Sequence, residues 1–386
     1  MTTYDTIIIG GGLAGCMAAV TLAQRGRHVA LIEAGTYPRP KVCGEFFSPE
    51  CAALFESIGF TPALNALQPN AIHTLRITAP DGSDWRTRLP VPAIGVSRYA
   101  LDAALAAHAA AAGADVLTGT RATDITGDLR AGFAVTVQAG GETRTLHSRS
   151  VIAAYGKRSA LDRVLNRRFF DQPQPYIGVK QHFRGALLPA HLDLHVFPGG
   201  YGGISQVEDG RTNVCLLVDQ AVFQAHGGRM GVGGFIAWVG AQNPAFKRWM
   251  ADAEPLYPDW LTIAQVPLCA KTPLEGDVFM AGDSAGMIAP LAGDGMAMAL
   301  HSGRLAARAL DRFLAGAASP EAARTAYARA WTRTFRFRLQ LGRTLHRVLI
   351  RPRLLSPGLA VMRRCPPLGD WLVQHTRDFR LLEQSE

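Results

Sequence analysis

Hydrophobic positions follow two rhythms along this chain. Unbroken apolar runs at residues 7–9 and 29–32 flank a stretch that opens on glycine, which predicts buried parallel strands joined by a helix, a βαβ unit. A proline-rich loop at 37–49 separates this unit from a helix at 50–58. Alternation at 73–78 predicts a half-exposed strand of a different sheet. An alanine-rich helix at 98–112 stops at Gly113, followed by a short strand at 115–117, hairpin-like segments at 133–137 and 143–147, and a strand at 151–154. Between about 177 and 219 short alternating runs with glycine-rich turns predict a meander sheet. From Asp277 the pattern returns to strand, turn and helix, and the remainder reads as helical, broken at Pro352, Pro357 and Pro366.

Composition narrows this picture. A chain of 386 residues that is 48% hydrophobic and 18% charged buries a large core and has the length of two domains. Its start is polar and lacks the basic and apolar regions of a signal peptide, and no run reaches the roughly 18 apolar residues of a spanning helix, so a cytoplasmic protein is expected. Six cysteines without CxxC spacing predict reduced thiols and no metal site. The net charge of +9 is concentrated: residues 321–386 hold thirteen arginines, no lysine and five acids. Arginine forks onto phosphates and carboxylates, so this segment is a candidate for contact with an anionic membrane, such as the inner membrane, or with a carrier protein. A solvated helical face explains the same pattern. Nucleic acid is not expected, since no stacking platform accompanies the charge.

The chemistry begins at "IIIGGGLAGCMAAVTLAQRGRHVALIEAG", residues 7–35. Gly10, Gly12 and Gly15 fit G-x-G-x-x-G directly after a strand and at a helix start; Leu13 and Ala14 bring their free amides to the same point. The glycines serve a tight turn, close approach of a pyrophosphate, and helix–strand packing. Glu33, with Ala34 beside it, ends the second strand where a carboxylate accepts from ribose hydroxyls. The pattern predicts dinucleotide binding.

Which dinucleotide is indicated farther along, in "VFMAGDSAGMIAPLAGDGMAMALHSGRLAARAL", residues 278–310. With the "SRYALDAAL" helix at 97–105, this stretch resembles the glutathione-reductase-type flavoproteins, in the branch of geranylgeranyl reductases, FixC-like dehydrogenases, halogenases and aromatic hydroxylases. The resemblance implies FAD. It places Gly282 and Asp283 on the ribityl chain, Gly293, Gly295 and Met296 near the ring, and Arg98, Ala122 and Gly156 among the cofactor contacts. It implies an α/β fold class: a Rossmann-type FAD-binding domain built from 1–72, 97–160 and 271–320, an inserted β-rich substrate domain at 73–96 and 161–270, and a helical C-terminal region at 321–386.

Three further stretches bear on the reaction. "PRPKVCGEFFSP", residues 38–49, looks like the K-x-C-G-(G/E) loop of geranylgeranyl-reductase-like proteins, making Cys43, Glu45 and Lys41 the catalytic candidates. Cys43 would position a double bond or relay a proton, and Glu45 would act as acid or base if burial raised its pKa. Arg39, like Lys41, suits neutralising pyrophosphate. "IAAYGKRSALDR", residues 152–163, matches the family's G-A-D-G-x-x-S-x-x-R motif except that Tyr155 replaces the aspartate, which weakens the case for NAD(P)H as direct electron donor. In "HVFPGGYGGISQ", residues 195–206, Gly203 stands where reductases carry tryptophan, opening the pocket wall. His182, His191 and His195 read as ordinary sheet histidines. The expected function is FAD-dependent hydride transfer to a hydrophobic, isoprenoid- or polyketide-type substrate, free or carrier-bound. The alternative is a monooxygenase or halogenase using O₂ and a flavin hydroperoxide.

Overall fold

The structure, a computed structural model, describes residues 3–185 and 190–375. Two sheets organise it. The core of the first runs in the order Val278–Met280, Glu142–Ala153, Thr3–Ile9, Val29–Ile32, Asp115–Leu117, each of these neighbours parallel, with Leu274–Glu275 added antiparallel beside Val278–Met280. Its strands are the predicted apolar runs, and Ile7, Ile8, Leu31, Ile152 and Phe279 are buried at its centre. The registers align the carboxyl ends: Ile9 lies opposite both Ile32 and Ala153, and Ala153 opposite Met280. Every loop leaving those ends therefore opens onto one edge, where ligands of open parallel sheets bind.

The second sheet runs Glu254–Pro255, Tyr176–Arg184, Thr212–Asp219, Gly200–Gln206, His191–Phe197, Asn70–Thr78, Asp84–Gly95, Phe46–Phe47. Its central members form the expected meander, paired antiparallel. The loop 37–49 is not wholly irregular, because Phe46 and Phe47 pair with Gly95 and Ile94 and so pin the loop to this sheet.

Two element assignments need correction. Residues 143–147 and 151–154 are not separate strands but parts of one, Glu142–Ala153, whose first half pairs antiparallel with Gly132–Ala139 and whose second half pairs parallel with Thr3–Ile9. The change of partner divides its hydrophobic pattern in two. Pro357 does not break a helix but lies inside Pro352–Arg364, where burial of Leu355 and Leu359 offsets the lost hydrogen bond. Pro352 and Pro366 begin helices, as the fixed φ of proline favours. Part of the expected helical C-terminal region at 321–386, with Arg377 and Arg380, lies outside the described residues.

Candidate functional site

The predicted glycine turn lies where the parallel sheet opens. Gly10 has φ +110°, and a side chain there would overlap the Ala154 carbonyl; one on Gly15 would overlap the Gly10 carbonyl. Gly12 is different. A Cβ there would meet only Lys41 Nζ at 3.6 Å and Arg98 Nη2 at 3.7 Å, so this glycine keeps a cation-lined space open. The following helix, Leu13–Ala23, has no side-chain cap on its N-terminus, and neither has the helix Gly295–Leu314 that crosses it. The uncapped start of Leu13–Ala23 beside two cations is suited to cradle a diphosphate. These features fit FAD, and the residues that would hold it are Gly10, Gly12, Leu13, Ala14 and Gly15.

Glu33 is buried at the end of its strand, accepting from Gly11 N at 3.0 Å, Gly35 N at 2.9 Å and Arg39 Nη2 at 2.7 Å. Arg39 is thus the counter-ion of Glu33. Ala34 is exposed beside it, and Ala122 lies near, two residues beyond Thr120, whose amide donates to the Glu33 carbonyl. Arg98 Nε and Nη2 fork onto both oxygens of Asp102 at 2.6 and 2.8 Å, while Lys41 Nζ reaches Asp102 at 2.6 Å. Burial alone would raise the Asp102 carboxyl, but the two cations hold it below its ordinary range. Asp102 was legible only as a motif letter, and here it orients both cations toward Gly12.

Glu45 is buried with φ +55°, a region unfavourable for side-chain-bearing residues. Its Oε1 accepts from Lys180 Nζ and from Arg98 N at 2.8 Å, and Oε2 accepts from His182 Nε2 at 2.7 Å. Burial favours the neutral acid, but Lys180 and His182 override it and hold the carboxyl below its usual value. The expectation of a raised pKa fails, and Glu45 is a fixed anion. His182 is correspondingly no ordinary sheet histidine. Lys180 Nζ also donates to the Lys41 carbonyl at 3.1 Å, and Asn213 Nδ2 donates to the carbonyls of Cys43 and Gly44 at 3.1 and 2.9 Å. The loop is thereby fastened to the second sheet.

That anchoring places Cys43 at the start of the helix Gly295–Leu314: its Sγ lies 3.4 Å from Met296 Sδ. Gly293 (φ +69°) and Gly295 flank Asp294, and Phe46 packs where a Cβ on Gly293 would be. Gly156 and Ser284 bond reciprocally, N to Oγ at 3.0 Å and Oγ to O at 3.2 Å, joining the loop after Ala153 to the turn Gly282–Ser284. Asp283 lies in that turn, half-buried, its carbonyl accepting from Lys271 Nζ at 2.8 Å. Burial pulls the Lys271 ammonium down to about 8. Tyr155 turns away from this edge, donating to Asp162 at 2.7 Å.

One cluster has no counterpart in the sequence reading. Arg338, from the helix Pro320–Leu349, donates to Asp294 at 2.7 Å and Glu50 at 3.1 Å, all three buried. Burial drives the Asp294 carboxyl up; Arg338 pulls it down, but the hydrogen-bonded Glu50 reinforces the rise, so Asp294 sits well above its ordinary range. Leu291 N donates to Tyr201 OH at 3.0 Å, and His346 stands edge-on to Tyr201 and Tyr176. The arginine-rich helix is therefore built into the site.

Fold and site together define a flavoprotein. Residues 3–178 match the family model for the FAD binding domain. The menaquinone reductase of Mycolicibacterium smegmatis is 27% identical over 331 residues, 79% of this chain and 76% of that protein. The digeranylgeranylglycerophospholipid reductase of Methanoculleus marisnigri is 28% identical over 348 residues, 85% and 81% of the respective chains. The crystal structure of CmlS, a flavin-dependent halogenase, superposes with a TM-score of 0.74 at 25% identity over 88% of this chain; the chain spans 63% of CmlS. The protein is an FAD-dependent oxidoreductase, with reductases and halogenases among the proteins it resembles.

Proposed function

We propose that this flavoprotein is a reductase of an apolar, isoprenoid-type substrate. FAD, when bound, supplies two-electron hydride chemistry. The chain's own residues do the rest. Lys41, Arg98 and the uncapped start of Leu13–Ala23 hold the diphosphate, and Asp283 suits the ribityl hydroxyls. Cys43 stands where the ring-end helix begins and is suited to position a double bond or deliver a proton to the carbon that does not receive hydride.

The observation that carries this reading is the apolar core beside the ring-end loops. Phe46, Leu194, Tyr201, Leu217 and Met287 cluster there with Leu349, Leu355 and Leu359 of the C-terminal helices. On the same sheet face as Tyr201, Gly203 leaves room, for a Cβ there would meet nothing closer than 3.9 Å. A menaquinone and a digeranylgeranyl lipid are the compounds named for the relatives, and both are isoprenoid. Such a substrate resides in lipid, so we place the work at a membrane surface. Among the described residues no helix is long and apolar enough to cross a membrane.

The test is anaerobic. The chemically reduced holoprotein is mixed with a menaquinone or a polyprenyl lipid without oxygen and flavin absorbance is followed. Re-oxidation with formation of reduced product is expected. Re-oxidation only after air is admitted, with oxygen or halogen added to the substrate, would establish the monooxygenase or halogenase reading instead.

A further inference from the structure

The three helices after residue 319 have two different sides. Along Pro320–Leu349 the inward positions Ala323, Tyr327, Trp331, Phe335, Leu339 and Leu349 are buried at helical spacing. Outward lie Arg329, Arg333, Arg336, Phe337, Arg347 and Val348, all exposed. Phe337 and Val348 are eleven residues, about three turns, apart and so share that side. They are 54% and 41% exposed, and Leu354 (48%) and Val361 (50%) continue the series on the next helix among the exposed Arg351, Arg363 and Arg364. Of the eleven large apolar side chains exposed among the described residues, six fall between 337 and 371, so the apolar exposure is concentrated on this arginine-bearing segment. From 321 to 375 there are only two acids, Glu321 and Asp370, and Arg130 holds Glu321.

We propose that this outer face is a docking surface for the phosphate-bearing, anionic surface of a lipid bilayer. Charge complementarity selects the occupant: guanidinium groups fork onto lipid phosphates while the apolar side chains between them enter the acyl boundary. The inner faces of the same helices supply Leu349, Leu355 and Leu359 to the core beside the ring-end loops. One layer of helix would thus separate lipid from that apolar core. The purpose, delivery of an apolar substrate, rests on the proposed reductase reading, whereas the docking rests on exposure and charge alone.

The test uses the full chain loaded with FAD and needs no turnover. Binding is measured by co-sedimentation with vesicles of phosphatidylcholine alone or containing about 30% phosphatidylglycerol. Binding to the anionic vesicles is expected, weakened at least about tenfold on phosphatidylcholine alone or in about 0.5 M salt. Removing two charges in the double variant Arg336→Gln, Arg347→Gln should weaken it roughly thirtyfold, and Phe337→Ser should weaken it further, with flavin absorbance and thermal unfolding unchanged. Equal binding to both vesicles, or wild-type binding by the folded variants, would overturn the proposal. So would binding of a purified acidic acyl-carrier protein with indifference to vesicles. Turnover of a detergent-solubilised substrate under anaerobic conditions is a separate readout, so failure of docking leaves the reductase reading standing.

Discussion

A single buried carboxylate, Glu45, carries much of the site's order. It ties Lys180 and His182 of the second sheet to the amide of Arg98 at the start of the helix Arg98–Ala111. Removing Lys180 leaves the buried carboxylate only His182 and the Arg98 amide, so Lys180→Met should destabilise the fold by up to about 3–5 kcal/mol in urea unfolding. Adding Glu45→Gln to that variant should recover part of the loss. A proton-transfer role for Glu45 would instead show as a shifted pH–rate profile in Glu45→Gln with stability unchanged. At Cys43 the expectation is different: Cys43→Ala should keep FAD bound and lower turnover by about 10²-fold or more. Turnover at the wild-type level would remove the thiol from the mechanism. The glycines were legible because backbone geometry demands them locally. Lys180 and Asp294 were not, since the partners that give them meaning lie 135 and 44 residues away along the chain.

At the scale of elements, the site depends on how closely two helices cross. A Cβ on Gly303 would overlap the backbone of Ala14, so the helices Leu13–Ala23 and Gly295–Leu314 touch main chain to main chain. Gly303→Val should cost about 1–3 kcal/mol as an overpacked contact. Because Ala14 lies in the uncapped first turn of Leu13–Ala23, the substitution should also weaken FAD affinity; a destabilised variant with unchanged flavin affinity would contradict that coupling. The helix Pro320–Leu349 was legible as an amphipathic element, but not the purpose of its inward arginine. Arg338 is one of thirteen arginines in its segment, and nothing local distinguishes it from those that face solvent. The strand Glu142–Ala153 looks like two strands in sequence for a similar reason, since its change of partner is a property of the sheet.

Over the whole molecule, three buried histidines from different elements give a common response to acid. Burial lowers His195 and His301 to about 3 and His346 to about 4, so the folded protein refuses protons that the unfolded chain accepts from about 6.5 downward. Their contribution to stability is present above pH 6.5 and is lost as pH falls toward 4. His346→Gln should reduce the slope of unfolding free energy against pH by about 1.4 kcal/mol per pH unit over that interval. An unchanged slope would mean that His346 is already charged in the fold. The architecture as a whole was legible because periodicity separates buried parallel strands from the meander, and the glycine turn marks the edge where the strands end.

If this edge holds FAD, equilibrium titration of the purified chain with FAD, followed through flavin fluorescence, reads it out. Saturable binding of one flavin per chain is predicted, lost in Gly12→Asp, where a carboxylate enters the space reserved for diphosphate. A chain that stays colourless and leaves flavin fluorescence unaltered, or a Gly12→Asp variant that binds as well as the wild type, would contradict the account.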